Sequence, residues 1–346
     1  MWFKQFGGRL NKKWRRIYAS SPNWKKGKFQ NLIKTETALD LRKMPGILRK
    51  QFKGHPHAFP SSELPITAFD KAKFLSSGST KFIWYGHSVI LLRMNNKTIL
   101  IDPMLGDDSS PIAPTKAKRF SSNTLSFVND FPPIDLVLIT HDHYDHLDLK
   151  SILALKNKTK NYFVSLGVKR HLEKWGVSPD SIIEFDWWDS KKLDDLEVTL
   201  SPTRHFSGRG LSSMAKCLWG GWVIKSKTES IWFSGDGGYG EHFTEIGEKL
   251  GPFDLAFMEC GQYNNDWPDI HLFPHESVKA AKEANVRLAV PVHWGGFSLS
   301  YQHSWFDPIE DFIKHAEEKS LSYLSPPIGS IFESSSEFPK WWEEYK

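Results

Sequence analysis

The sequence predicts an α/β fold with two layers of sheet. Short apolar, branched runs alternate with helix-like segments through most of the chain. The body opens on antiparallel strands, since Lys81 to Met94 and Thr98 to Ile101 flank the turn signal Asn95-Asn96-Lys97. With 346 residues, 40% hydrophobic and 25% charged, the chain has enough apolar material for a large core.

Residues 1–80 read as a basic, aromatic N-terminal arm and connection, 81–332 as the folded domain and 333–346 as a C-terminal tail. In the arm Lys4, Arg9, Lys12, Lys13, Arg15, Arg16, Lys25, Lys26 and Lys28 interleave with Trp2, Phe3, Phe6, Trp14, Tyr18 and Trp24. That pattern suits the headgroups of anionic lipids, and equally an arm wrapped on the body with its charges in solvent. A secretory signal, or the twin-arginine kind, needs an apolar run after the charges, and none follows. The expected location is therefore the cytoplasm, with peripheral contact on the inner membrane face. No segment approaches the ~20 apolar residues that span a bilayer. A net charge of +5 is modest and no nucleic-acid motif is present, so nucleic acid is not an expected partner. Cys217 and Cys260 are too few for a disulfide framework and read as buried thiols.

Residues 55–80, punctuated by Pro56, Pro60 and Pro65, read as irregular connection. Beyond the opening hairpin, Ile134 to Ile139 is a buried strand, Asp148 to Lys156 a helix capped by Asp148, Tyr162 to Leu166 a strand and Val168 to Trp175 a helix. Strands follow at Leu196 to Ser201, Leu218 to Lys225 and Ser230 to Ser234, the last two as a hairpin. Helices at Glu241 to Leu250, His275 to Ala284 and Pro308 to Lys319 alternate with strands at Leu255 to Glu259 and Val286 to Val292.

The chemistry concentrates where strands end. Directly after Ile139 comes Thr140-His141-Asp142-His143-Tyr144-Asp145-His146, with three histidines and two aspartates in six consecutive positions. In an extended segment His141 and His143 point the same way, while Asp145 and His146 follow where the chain turns. One loop can thus present ligands to two neighbouring ions, and imidazole with a few carboxylates suits zinc first. His205, Asp236 and His293 also follow apolar strands. Taken singly each reads as a structural residue; beside the loop they complete two coordination shells. Asp102 is placed to hydrogen-bond the distal nitrogen of a ligand histidine. His87 in Gly86-His87-Ser88 has no assigned role.

These residues resemble the metallo-β-lactamase superfamily, and within it the branch of N-acyl-phosphatidylethanolamine-hydrolysing phospholipase D and its bacterial relatives. Trp84-Tyr85-Gly86-His87, His143-Tyr144-Asp145-His146-Leu147-Asp148, Leu218-Trp219-Gly220-Gly221-Trp222 and His293-Trp294-Gly295 carry the resemblance, which covers roughly residues 80 to 330. It implies an αβ/βα sandwich, two mixed sheets flanked by helices, with a two-metal site along one sheet edge. His141, His143, His205 and Asp236 would hold one Zn2+, and Asp145, His146, Asp236 and His293 the other. Asp145 and His271 are the implied catalytic residues. His275 stands where the family usually has an acid, and Asp142 replaces an Asn that is not a ligand. Histidine at position 143, where iron relatives usually have a carboxylate, favours zinc. The implied activity is a metal-dependent phosphodiesterase releasing N-acylethanolamine and phosphatidic acid. Alternatives are a UlaG-like hydrolase of a soluble phosphorylated lactone or other small ester, and a non-catalytic metal-binding scaffold. The expected partners are a phospholipid or small phosphodiester substrate and, by resemblance, a second copy of the chain as a homodimer.

Overall fold

The computed structural model describes residues 4–36, 44–110 and 117–346; Trp2 and Phe3 of the arm lie outside them. The arm contributes α1 (Lys12–Tyr18) and the ribbon β1 (Trp24–Lys25) and β2 (Lys28–Phe29), followed by α2 (Met44–Lys53) and α3 (Lys71–Leu75). The body runs β3 (Lys81–Trp84), β4 (Ile90–Met94), β5 (Lys97–Ile101), β6 (Ile134–Ile139), α4 (Leu149–Leu155), β7 (Thr159–Ser165), α5 (Lys169–Lys174) and β8 (Ile182–Phe185). It continues with β9 (Ser190–Leu193), β10 (Leu196–Ser201), β11 (Gly221–Lys225), β12 (Ser230–Phe233), α6 (His242–Leu250), β13 (Leu255–Glu259) and α7 (Pro274–Glu283). Last come β14 (Leu288–Val292), α8 (Asp307–Glu318), β15 (Ser322–Tyr323) and β16 (Ile331–Phe332).

The strands form two seven-stranded sheets, ordered β16-β3-β4-β5-β6-β7-β8 and β15-β14-β13-β12-β11-β10-β9. Each sheet has an antiparallel half and a parallel half whose crossovers carry helices; short turns join β3-β4-β5, β9-β10 and β11-β12, while β10 reaches β11 through residues 202–220. The two sheets therefore share one plan, a repeat that the sequence does not show. Strand alternation sorts the core: Phe82, Ile90, Leu92, Ile99, Leu136 and Leu138 face Val198, Leu200, Trp222, Ile231 and Phe233 between the sheets. Ile83, Leu91, Leu100, Val137 and Ile139 face outward onto Ile152, Leu155 and Leu172. This is the αβ/βα sandwich.

Local chemistry explains the elements. Asp148 caps α4, its carboxylate accepting from Ser151 N at 2.8 Å. Lys191 and Lys192 leave edge strand β9 charged and exposed, which discourages pairing with another chain. Lys81 to Met94 is two strands rather than one. Gly86 (φ 80°) and His87 (φ 54°) turn the chain between β3 and β4, so Asn95 (φ 47°) and Asn96 (φ 62°) join β4 to β5. Strands β1, β2, β8, β9, β15 and β16 are absent from the sequence reading; all have four residues or fewer, which leaves little periodicity to register. The connection 55–80 also contains the single turn of α3.

Arm and tail both pack on the body. Trp14, Tyr18 and Phe29 of the arm belong to the main hydrophobic cluster. Trp342 is fully buried, edge-on to Trp294 at 5.7 Å, while Trp341 stacks on Trp294 at 5.5 Å. Among the described residues no helix is long and apolar enough to cross a membrane. Because Trp342 fills a closed site, Trp342→Ala is expected to cost about 3–5 kcal/mol in a urea unfolding titration; a loss below ~1 kcal/mol would mean the tail is not seated there.

Candidate metal centre

The sheet edges converge on one cluster. β6 ends before the His141 loop, β10 precedes His205, β12 precedes Asp236 and β14 precedes His293, so each ligand candidate follows the end of a rigid strand. His293 (φ 70°) and two further residues near strand ends, His87 (φ 54°) and Asp102 (φ 42°), hold left-handed backbone that side chains disfavour. The fold maintains them by backbone pairing: His293 N donates to His87 O at 2.9 Å and His87 N to Trp294 O at 2.7 Å. That approach requires glycine opposite, since a Cβ on Gly296 would lie 2.7 Å from the Cβ of His87.

Three of the imidazoles are aimed by the nitrogen that they do not present. His205 Nδ1 faces Ile270 O at 2.8 Å, His146 Nδ1 faces Asp102 Oδ2 at 2.7 Å and His141 Nδ1 faces Thr140 Oγ1 at 2.9 Å. Asp102 also accepts from Thr140 N and Oγ1, which fixes the carboxylate itself. The opposite nitrogens meet in two groups. In one, His141 Nε2 and His205 Nε2 lie 2.8 and 3.2 Å from His143 Nδ1. In the other, His146 Nε2 and His293 Nε2 each lie 3.5 Å from Asp145 Oδ2. Asp236 Oδ2 sits between the groups, 3.0 Å from His146 Nε2, 3.2 Å from His293 Nε2 and 3.9 Å from both His141 and His205.

This donor set fits divalent metal. Nε2 of His146 and Nε2 of His293 are buried without a hydrogen bond, an arrangement that costs free energy unless something else takes their lone pairs. Burial drives His141, His143 and His205 below the usual histidine range, leaving neutral rings that can ligate. His293 goes the other way, up to about 10: burial opposes the shift, but Asp236 and Asp145 outweigh it. The second group thus holds excess negative charge, which a cation neutralises.

The seven ligand candidates read from the sequence all stand here, and Asp102 and His271 join them. His275 does not, being exposed on α7 beside His315. His87, noted in the sequence without a role, gains one, and other residues went unread. His87 is buried with Nε2 2.8 Å from Asp145 Oδ2, and burial pushes it down to about 3. Glu259 ends β13, accepts from Gly237 N at 2.7 Å and pairs with His271 Nδ1. A carboxylate closing an apolar strand was its only signal. Asn31 of the arm clamps His205 in both directions, accepting from its N–H at 3.1 Å and donating to its carbonyl at 2.8 Å. Arg209 donates to Asp142 O and Leu147 O at 2.8 and 2.7 Å, bracing the metal loop. Asp142, the loop spacer, is buried against His171 and Cys217, both 3.2 Å away.

Two mixed sheets with a buried histidine and aspartate cluster at their shared edge define a metal-dependent hydrolase of the metallo-β-lactamase fold. The profile of the beta-lactamase superfamily domain matches residues 97–294, and the chain belongs to that superfamily. An uncharacterised protein of Mycobacterium tuberculosis is 35% identical over 95% of this chain and 89% of its own length. The N-acyl-phosphatidylethanolamine-hydrolyzing phospholipase D 1 of Caenorhabditis elegans is 29% identical over 79% of this chain and 81% of its own. Among solved structures, the metallo hydrolase Igni18 from Ignicoccus hospitalis shares the fold, with a TM-score of 0.55 at 22% identity over 76% of this chain and all of that one.

Asp102→Ala releases His146 Nδ1 from the carboxylate that orients it. It is expected to weaken metal binding about 10- to 100-fold in a competitive chelator titration while leaving the circular dichroism spectrum unchanged. Unaltered affinity would remove Asp102 from the site.

Proposed function

We propose that the chain hydrolyses the phosphodiester of N-acyl-phosphatidylethanolamine to N-acylethanolamine and phosphatidic acid, with one Zn2+ held by His141, His143, His205 and Asp236 and another by Asp145, His146, Asp236 and His293. The observation that carries the reading is the placing of His271, whose ring lies 5.1 Å from that of His205 and 5.2 Å from that of His293. It stands beside both ligand groups without belonging to either. Its Nδ1 is engaged by Glu259, which leaves Nε2 as the free nitrogen.

Two divalent ions so held lower the proton affinity of water and neutralise charge on a phosphoryl group. Asp145 Oδ2, oriented by His87 Nε2, accepts a hydrogen bond from the attacking water and sets its direction. Water oxygen adds to phosphorus in line, the bond from phosphorus to the ethanolamine oxygen breaks, and His271 Nε2 gives that oxygen its proton. The water proton passes to solvent, so atoms and charge balance.

A lipid substrate also needs an apolar approach. A groove of about 430 Å³ lies between Phe52, Phe59, Leu299 and Tyr301. Its wall at Ser298 continues from Phe297, whose ring meets His87 at 5.2 Å. Phe52 and Phe59 are 81% and 62% exposed, apolar surface that suits contact with a bilayer.

The deciding assay is mass spectrometry of zinc-loaded protein incubated with N-acyl-phosphatidylethanolamine vesicles. Chelator-sensitive release of N-acylethanolamine with phosphatidic acid is expected. Intact lipid beside cleavage of a soluble phosphodiester or lactone would turn the assignment toward a small-ester hydrolase. His271→Ala is expected to lower kcat by about 10²- to 10⁴-fold with metal content unchanged, and near-normal turnover would remove it from the chemistry. Asp236→Ala, which breaks both ligand groups, is expected to abolish activity and metal retention together; two bound ions per chain would sink the assignment.

A further inference from the structure

A second pocket, of about 320 Å³, opens where the arm meets the body, lined by residues including Arg9, Arg15, Arg170, Ser212, Ser213 and Lys216. Arginine and lysine come to it from both partners, and no carboxylate is among the described lining residues. Arg170 is 3% exposed and is held by carbonyls, donating to Gly8 O at 3.1 Å, Gly167 O at 2.6 Å and Lys216 O at 2.8 Å. Lys216 donates to Gly27 O and lies 5.7 Å from the Trp24 ring. Two carboxylates stand behind Arg170, on the side away from the pocket lining, and each also accepts from backbone: Asp142 from Gly208 N, with His171 beside it, and Glu184 from Gly167 N. Burial, and then Arg15, Lys28 and Arg170, lower the proton affinity of Lys216.

Carbonyls orient Arg170 and Lys216, and no carboxylate lines the described pocket, so it has a built positive potential and donors converging from arm and body. Its surroundings indicate the ligand. On α1, Arg15 is flanked by exposed Lys12, Lys13 and Arg16, and Ile17 among them is 41% exposed. Apolar surface set among cations matches the boundary of an anionic membrane. The pocket is not the catalytic phosphate position: none of its lining residues is a ligand candidate, and it is buried His171, next in the chain to Arg170, that meets Asp142 of the metal loop.

We propose that this pocket binds a phosphate group, supplied by the headgroup of an anionic phospholipid. The inference is independent of the substrate, since a chain inactive on N-acyl-phosphatidylethanolamine would still show it.

Co-sedimentation of the full chain with phosphatidylcholine vesicles, with and without phosphatidic acid, tests it. The variants are Arg15→Ala/Lys216→Ala, Ser212→Glu and, as a charge-matched control, Lys25→Ala/Lys26→Ala. Binding that depends on phosphatidic acid is expected, weakened about tenfold or more in the double pocket variant. Ser212→Glu is expected to weaken it similarly by placing a carboxylate in the pocket without removing a cation, which keeps the test valid if the double variant misfolds. The control pair is expected to lose less than about threefold. Thermal melts with inorganic phosphate separate the sources: stabilisation of wild type but not of Ser212→Glu, without vesicle binding, retains the site and assigns it to soluble phosphate. A control pair as weakened as the pocket variants overturns the pocket in favour of diffuse attraction. Wild type indifferent to both probes overturns it outright. Hydrolysis of detergent-dispersed substrate, measured on the same variants, is expected to stay within about threefold of wild type, separating this outcome from any failure of the catalytic reading.

Discussion

Everything in this protein depends on keeping a buried group of imidazoles and carboxylates compensated. Asp236 is the centre of that constraint, with its Oδ2 within 3.2 Å of two histidine nitrogens and 3.9 Å of two more. In a low-dielectric interior such a group persists only if each member is aimed and partnered, because an unpaired buried charge costs several kcal/mol. The surrounding fold supplies the partners: Asp102 and Thr140 behind the first loop, Ile270 O behind His205, Glu259 and Gly261 O behind His293. The lone pairs left over on His146 and His293 are the places where a cation completes the balance.

That requirement gives the periphery its purpose. The arm donates Asn31 to His205 and Gly8 N to His171, and receives Arg209 at Gln5 O, so it braces the site from outside. The tail works from the opposite side. Trp341 and Trp342 close over Trp294, the residue after His293, and Trp84, which ends β3, lies 5.1 Å from the same indole. A tryptophan cluster therefore fixes the left-handed turn at His293 from beneath. The basic arm is both a structural brace and a charged surface, two readings that composition alone leaves open.

Much of this was legible in the residues. The loop from His141 to His146 announces metal by density alone, and His205, Asp236 and His293 share the signature of a ligand type after an apolar run. Asp148 as a cap and Asn95-Asn96 as a turn follow from side-chain hydrogen bonding and tolerance of positive φ. What escaped has a common cause. Glu259, Asn31, Arg209 and His87 act through partners 12 to 204 positions away, and local pattern carries no information about such pairs. The division of Lys81 to Met94 into two strands was hidden in the same way, because every residue of both strands but one is buried and the run reads as continuous.

The sequence by itself determined the chemistry: which side chains can ligate, that they stand at strand ends, and that the strands belong to an α/β sandwich. Those properties follow from residue type and short-range periodicity, which survive in an unfolded chain. Only the tertiary structure decided the rest. It brought ligands from both sheets around Asp236, recruited His87 and Glu259, and folded the arm and tail back as braces. It also enclosed a cationic pocket between residues more than a hundred and fifty positions apart, as Gly8 and Arg170 show. The physical reason is that charge compensation and burial are properties of neighbours in space, and folding alone chooses the neighbours.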